Sequence, residues 1–135
     1  MRADLPAELD AITEKILGAA FVVSSVLGNG FLEAVYKNAL IEELQSVNCR
    51  IAAEKPFQIL YRGKLVGTYL ADLVVEDLVI VELKAVETLA RAHLSQLLNY
   101  LKASNLPVGL LLNFGQPSLQ MKRIINPSAK SVLIR

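Results

Sequence analysis

The order of apolar and polar positions along the chain predicts three helices. Apolar residues recur at helical spacing over 5–27 and again over 31–47, and the Gly28-Asn29-Gly30 run separates these two segments. A third helix is predicted over 87–105. Its apolar face consists of leucines: Leu89, Leu94, Leu97, Leu98 and Leu101.

After Asn48 the pattern changes to β-branched and aromatic residues with turn signals at regular intervals. Three antiparallel strands are predicted there, near 54–61, 65–75 and 78–84. Turns are expected at 62–64 and at Glu76-Asp77. The segment from Val108 is apolar on both faces, which is typical of a central strand, and a short last strand is predicted at 121–126. The order αα-βββ-α-β-β predicts an α/β (α+β) fold with a mixed sheet flanked by helices.

Length and composition indicate a folded chain with one core. The 135 residues predict a single domain over 1–135, and apolar residues make up 53% of the sequence. The formal net charge is +1, so no global field attracts nucleic acid, and an anionic partner needs a local basic patch.

The remaining composition predicts a cytoplasmic protein. Cys49 is the one cysteine, which excludes an internal disulfide and a cysteine-based zinc site. The acidic start of the sequence does not resemble a secretory signal, and the apolar run 16–27 is too short to cross a bilayer. We therefore expect an intracellular protein that does not associate with membranes.

Candidate chemistry lies on the predicted hairpin, in the stretch "VIVELKAVE" from Val79. Glu82 and Lys84 lie two positions apart on a strand, so their side chains share a face. Asp72 lies on the preceding strand. A two-residue Glu76-Asp77 loop places Asp72 opposite Val81, whereas a three-residue loop or a bulge places it opposite Glu82.

If the two acids share a face, their repulsion needs a compensating cation. Lys84 supplies one positive charge for two carboxylates, and a hard divalent ion such as Mg²⁺ supplies the rest. Lys84 then lies beside the ion, where it meets a developing anion or orients water. The alternative is that Asp72, Glu82 and Lys84 are solvated charges on a half-exposed sheet.

Two helical segments carry further candidates. Gln96 and Tyr100 lie four apart on one face of the third helix, which His93 shares. In the second helix Glu33 falls in the first turn, where the helix dipole favours a carboxylate, and Tyr36 is expected at the edge of the core. Each of these side chains also has a purely structural interpretation.

The residues resemble a known family over nearly the whole chain. The segment "GFLEAVY" resembles the signature of the GxxExxY protein family, with Gly30, Glu33 and Tyr36 in its three places. The blocks "ADLVVEDLVIVELKAVE", "HLSQLLNYLKA" and "GLLLNFG" resemble later parts of that family. The family is in turn similar to the PD-(D/E)xK nuclease superfamily, although Ala71 stands where the motif has proline.

The resemblance implies a restriction-endonuclease-like core and assigns roles to residues. Asp72 and Glu82 become ligands of a divalent metal, Mg²⁺ or Mn²⁺, and Lys84 assists catalysis. The subset that resembles RecB-type nucleases adds a helical acid before the sheet and a Gln-x-x-x-Tyr after it. Those residues are Glu33, which joins the metal ligands, and the pair Gln96 and Tyr100.

The function implied by the resemblance is metal-dependent hydrolysis of phosphodiester bonds, in DNA rather than RNA. The alternative is a non-catalytic accessory or binding module with the same fold. Phosphate contacts are expected from Lys122, Arg123 and Lys130. The first helix is apolar nearly all round, which predicts a homodimer or a complex with a partner protein.

Overall fold

A computed structural model describes residues 5–128 as three helices and five strands. The helices are α1 (Ala7–Leu27), α2 (Glu33–Ser46) and α3 (Arg91–Ser104). The strands are β1 (Ile51–Tyr61), β2 (Lys64–Val75), β3 (Val79–Lys84), β4 (Val108–Asn113) and β5 (Gln120–Ile125). The predicted order of elements is confirmed.

The strands form one mixed sheet in the order β1-β2-β3-β4-β5. Neighbouring strands are antiparallel except β3 and β4, which are parallel and are connected by α3. A parallel pair needs a crossover connection, and the helix provides it. All six residues of β4 are buried, as expected for an apolar inner strand covered on both faces.

Two apolar layers cover the sheet. On one face α1 and α2 pack against alternate residues of the inner strands, among them Leu73, Val81 and Leu110. On the other face α3 buries Leu97 and Leu101 against the sheet. The helices therefore flank a mixed sheet, which confirms the predicted fold class.

The boundaries of several elements differ from the predicted ones because local capping and pairing set them. The third helix begins at Arg91 instead of residue 87, and the backbone N–H of Ala90 is bonded to His93 Nδ1 at 3.0 Å. The first strand starts three residues early, at Ile51, because it pairs with Val75.

The apolar surface of α1 is only partly covered in this chain. Ile16, Ala20 and Val23 are buried, but Phe21, Val22 and Val26 remain exposed by 58%, 44% and 76%. None of the helices in residues 5–128 is both long and apolar enough to cross a membrane. Part of the apolar surface of α1 is therefore exposed to solvent in the described structure.

Candidate active site

The turn between β2 and β3 contains three residues, Glu76 to Leu78. Val75 pairs with Val79, and the pairing continues to Leu73 and Val81. Glu76 and Asp77 both have positive φ, and Leu78 donates its N–H to the Val75 carbonyl at 3.1 Å. Continuation of this register places Asp72 opposite Glu82, as required for the two acids to act together.

The two carboxylates reach across to each other's strand. The Asp72 N–H donates to Glu82 Oε2 at 2.9 Å, and the Leu83 N–H donates to Asp72 Oδ2 at 2.9 Å. Regular β2–β3 pairing ends at Leu73–Val81, just before this point. Side-chain oxygens thus take over two backbone donors where the strands separate, which keeps those donors satisfied.

The chain changes face where Asp72 lies. Ala71 packs with the apolar cluster on the α3 side, whereas Leu73 packs with the cluster on the α1–α2 side. Residues two apart on a regular strand would share a face, so the strand is distorted between them. Glu54, beside this point on β1, has φ +53°, and the β1–β2 pairing skips Glu54 and Asp72. Such irregularities re-aim side chains, here the Asp72 carboxylate.

Glu82 is a buried acid with a dedicated hydrogen-bond donor. It is only 9% exposed, and Tyr69 donates its hydroxyl to Glu82 Oε2 at 2.5 Å. Burial, followed by the nearby negative charge of Asp72, raises the pKa of Glu82 to about 7. Burial and the Glu82 charge also raise the pKa of Tyr69, so Tyr69 stays protonated and acts as a donor.

Lys84 follows on the same strand, and the loop after it is held firmly. Its carbonyl accepts the Phe114 N–H at 2.8 Å, and the side chain of buried Asn113 bonds both the N–H and the carbonyl of Val86. A Cβ at Gly115 would overlap the Val86 backbone. The end of β4 therefore fixes the backbone around Lys84.

The positive charge of Lys84 acts on two of the acids. It lowers the pKa of Glu82 and of Glu33, in both cases against a larger effect of burial. The Lys84 ammonium group thus favours the charged forms of Glu82 on its own strand and of Glu33 on α2.

Glu33 is the first residue of α2 and approaches the acid pair from the helix side. Its side chain is exposed overall, yet partial burial and then the charge of Asp72 raise its pKa. Tyr36 holds the loop that precedes the helix. Its hydroxyl donates to the Gly28 carbonyl at 2.7 Å and accepts the Phe31 N–H at 3.1 Å.

Tyr36 is more deeply buried than expected. It is 0% exposed, and its ring stacks on that of Phe114 at a centroid distance of 4.8 Å. The expectation of a residue at the edge of the core was wrong, because α2 packs this ring between the loop and the end of β4. Gly30, with φ +116°, supplies the backbone conformation that the loop requires.

The third helix forms one wall of a groove over the acid pair. Gln96 and Tyr100 line a groove of about 410 Å³ together with Glu82 and Lys84. The Tyr100 ring stacks on the Tyr69 ring at a centroid distance of 3.5 Å. His93 Nδ1 accepts the Ala90 N–H at 3.0 Å at the start of the helix.

Two residues of the site were missed by the sequence analysis. Tyr69 was not singled out, although a tyrosine buried in a strand needs a partner for its hydroxyl. Asn113 was read as part of an apolar strand, although a buried amide must satisfy several hydrogen bonds. Both signals concern burial, which the sequence pattern gives only approximately.

The expected phosphate contacts are placed differently. The Arg123 guanidinium lies 3.7 Å from Asp10 of α1, on the face away from α3, and Lys122 is exposed on β5. Lys130 lies outside the described residues. Arg123 is therefore engaged within the fold.

The donor chemistry of the acid pair fits a hard divalent cation. Asp72 and Glu82 present carboxylate oxygens side by side, and Mg²⁺ typically uses one or two carboxylates and retains several waters. Within residues 5–128, no group of three or more His, Cys, Asp or Glu side chains is arranged to hold a metal ion as it stands. The metal-ligand roles of Glu33, Asp72 and Glu82 thus remain predictions.

Comparison with known families identifies the class. A family model described as the PD-(D/E)XK nuclease superfamily matches residues 10–124, which is most of the chain. The match includes the candidate site residues Glu33, Asp72, Glu82, Lys84, Gln96 and Tyr100. The chain belongs to the PD-(D/E)XK nuclease superfamily. No curated protein matches the sequence significantly.

A solved structure supports the fold. The chain superposes on the crystal structure of SSO0001 with a TM-score of 0.52 and 19% sequence identity. The match covers 87% of this chain and 59% of that one, so this chain spans less than two thirds of the length of SSO0001. At this level of identity the likeness concerns the fold alone.

Proposed function

We propose that this chain is a metal-dependent nuclease that hydrolyses phosphodiester bonds in DNA. The observation that carries the proposal is the crossed pair of Asp72 and Glu82 beside Lys84, in a groove walled by α3. Membership of a nuclease superfamily makes phosphodiester hydrolysis the reaction that best uses this arrangement.

The roles follow from position and charge. Asp72 and Glu82 would hold Mg²⁺ or Mn²⁺, with Glu33 closing from α2. When bound, the metal would polarise the phosphate and activate water. Lys84 stabilises the negative charge that develops on the phosphate oxygens.

The groove residues have supporting roles. Tyr69 donates its hydroxyl to Glu82 and so sets the direction of that carboxylate. Gln96 and Tyr100 border the groove and would contact the nucleic-acid backbone. This arrangement supports assignment to the GxxExxY family and to the subset that resembles RecB-type nucleases.

A cleavage panel tests the proposal. Single-stranded DNA, double-stranded DNA and RNA would each be incubated with Mg²⁺, Mn²⁺ or Ca²⁺, beside Lys84→Ala. We expect hydrolysis of DNA with Mg²⁺ or Mn²⁺ and its loss in the variant. If no substrate is cleaved with any of the three metals, the proposed nuclease activity is wrong.

Thermal melts supply an independent measurement. A metal that binds only the folded protein stabilises it by roughly 2.7 kcal/mol at a hundredfold excess over its dissociation constant. The melting temperature should therefore rise with Mg²⁺ or Mn²⁺ in the wild type but not in Asp72→Asn. An equal rise in that variant would exclude Asp72 as a ligand.

The second candidate function is a non-catalytic accessory module. It is favoured by the exposed apolar side chains near the end of α1, which include Phe21 and Val26. Such a module would bind a protein partner or a second copy through α1. Cleavage by the wild type that is lost in Lys84→Ala would exclude it.

A further inference from the structure

The two-stranded ribbon formed by residues 55–70 of β1 and β2 extends beyond the rest of the sheet. Pairing of β2 with β3 stops at Leu73, whereas the β1–β2 pairing continues to Tyr61 and Lys64. One face of the ribbon packs on the α3 side through Phe57, Ile59 and Tyr69. The other face and the tip are exposed.

The exposed part of the ribbon combines apolar and aromatic surface. Leu60, Leu65 and Leu70 are each more than half exposed, and Tyr61 at the tip is 61% exposed. The ribbon borders the groove, since Ile59, Thr68 and Leu70 also line it. Exposed apolar and aromatic side chains beside a groove are typical of a binding surface.

The charge of the ribbon is of one sign. Lys55, Arg62 and Lys64 lie within 55–70, and that segment contains no acidic residue, in a chain whose net charge is only +1. The Arg62 guanidinium lies 5.4 Å from the centre of the Tyr61 ring. The tip thus presents an aromatic face and a cation together, while Asp77 near the base lies 3.4 Å from Lys55.

We propose that the ribbon binds a single, unpaired strand of nucleic acid and guides it into the groove. Tyr61 stacks on a base, and Arg62 and Lys64 contact phosphates. Base faces are available for stacking only in an unpaired strand, and exposed aromatic groups beside basic groups are how proteins hold such strands. The inference rests on the proposed function and specifies its substrate as single-stranded.

Binding is measured by fluorescence anisotropy without divalent metal, so that no strand is cut. The probes are a short labelled DNA strand of mixed sequence, the same strand annealed to its complement, and the corresponding RNA strand. We expect the single strands to bind more tightly than the duplex. The DNA and RNA arms identify which sugar the ribbon accepts.

Tyr61→Ala should weaken single-strand binding roughly fivefold to 150-fold, whereas Tyr61→Phe should retain it because the ring still stacks. Val47→Ala is the control, because Val47 is an exposed apolar residue, 42%, at the end of α2 and outside the ribbon. We expect no change in that control. Thermal melts of the three variants confirm that each is folded.

The double variant Arg62→Ala/Lys64→Ala tests the phosphate contacts. Each contact contributes about 0.7 to the slope of log K against log salt for single strands, so the slope should fall by about 1.4. Lys15→Ala, which removes an exposed cation from α1, should leave the slope unchanged.

The outcomes separate this inference from the proposed function. Suppose that the wild type cleaves DNA and that Tyr61→Ala binds single strands as tightly as the wild type. The proposed binding role of the ribbon would then be wrong, and the proposed nuclease function would be retained. Selective single-strand binding without cleavage would support the binding role of the ribbon and exclude the nuclease function. Equal affinity for single strand and duplex would exclude the proposed binding role of the ribbon. Substitutions at the tip that alter only self-association would also exclude it.

Discussion

At the scale of single residues, the proposed metal site requires Glu82 to be held in the protein interior and still to carry a negative charge. Tyr69 and the Asp72 N–H donate to the same oxygen, Oε2, and both favour the charged form. Burial and the Asp72 carboxylate oppose them and prevail, because the pKa is raised to about 7. The site thus holds an acid that is readily protonated near neutral pH.

The raised pKa gives a prediction for stability without metal. The pKa of Glu82 lies near 4.5 in the unfolded chain and near 7 in the folded protein, so the folded state binds the proton more tightly. The contribution of Glu82 to the free energy of unfolding should be greatest below about pH 4.5. On the order of 3 kcal/mol of it should be lost as the pH rises from about 4.5 to about 7.

Denaturant melts of the wild type and Glu82→Gln across this pH range check the prediction. The amide cannot titrate, so the decline should be much smaller in Glu82→Gln. Glu14→Gln, which changes an exposed glutamate on α1, should behave like the wild type. A decline of equal size in Glu82→Gln would assign the pH dependence to other groups.

Lys84 and Glu82 are expected to fail in different ways when substituted. Lys84→Ala should lower the rate about 10²–10³-fold, because a preorganised charge in the transition state is lost. Metal binding should survive in that variant, since the proposed ligands are carboxylates. Glu82→Ala should lose both metal binding and activity.

Calorimetric titration with Mn²⁺ and a cleavage assay, run on both variants, separate these roles. Lys102→Ala is the control, because it removes an exposed lysine from the last turn of α3. Loss of metal binding in Lys84→Ala would show that the lysine maintains the shape of the site and not its chemistry.

At the scale of elements, the three-residue turn between β2 and β3 decides whether the acids meet. Deletion of Asp77 with a three-residue turn retained, formed by Glu76, Leu78 and Val79, would pair Val75 with Ile80. Asp72 would then lie opposite Leu83, on the other face from Glu82. We expect the variant to lose metal-induced stabilisation and activity. Thermal melts with and without Mn²⁺ provide the measurement.

Asp77→Gly is the matched control for the deletion. Asp77 has φ +56°, which glycine adopts readily, and its carboxylate pairs only at the surface with Arg50 and Lys55. Length is preserved, so the response to metal should persist. If the deletion also retained the response, the register of the hairpin would not govern the site.

The elements themselves were largely predictable from the sequence, because the apolar periodicity of the helices and the turn signals of the strands are local. The length of the turn between β2 and β3 could not be predicted from the sequence. Glu76 and Asp77 look like a two-residue hairpin loop, and Leu78 was read as the first residue of the strand. Leu78 falls in the turn because the β2–β3 register is set by packing on both faces of the sheet.

The strand distortion at Asp72 could not be predicted from the sequence either. The positive φ of Glu54 and the change of face between Ala71 and Leu73 arise from contacts between β1, β2 and both helical layers. The sequence left open whether Asp72 faces Glu82 or solvent. Tertiary packing decides between these alternatives, and local propensity cannot.

At the scale of the whole molecule, the apolar surface of α1 remains available after the fold is complete. Val22 and Val26 line a shallow cavity of about 260 Å³ between α1 and α2, and Phe21 is exposed on the same helix. We expect self-association or binding of a partner protein through this surface, because exposed apolar clusters of this kind mark interfaces.

Multi-angle light scattering at micromolar concentration tests this assembly. The wild type should be dimeric, and Val26→Glu should shift it to monomer. Glu14→Gln, also on α1, should leave the mass unchanged. A monomeric wild type would exclude the homodimer and leave the partner protein to be sought.

The crossed carboxylates have a further consequence for how the protein can be observed. The amide hydrogens of Asp72 and Leu83 are each held by a side-chain oxygen and not by a carbonyl of the sheet. A cation bound by these carboxylates would withdraw electron density from the oxygens that accept the two amides, while the neighbouring amides of the ladder keep their partners. Two backbone resonances, adjacent in space and eleven residues apart in sequence, therefore act as built-in reporters of occupancy. Their chemical shifts and hydrogen-exchange rates would follow filling of the site even in a variant that cuts nothing.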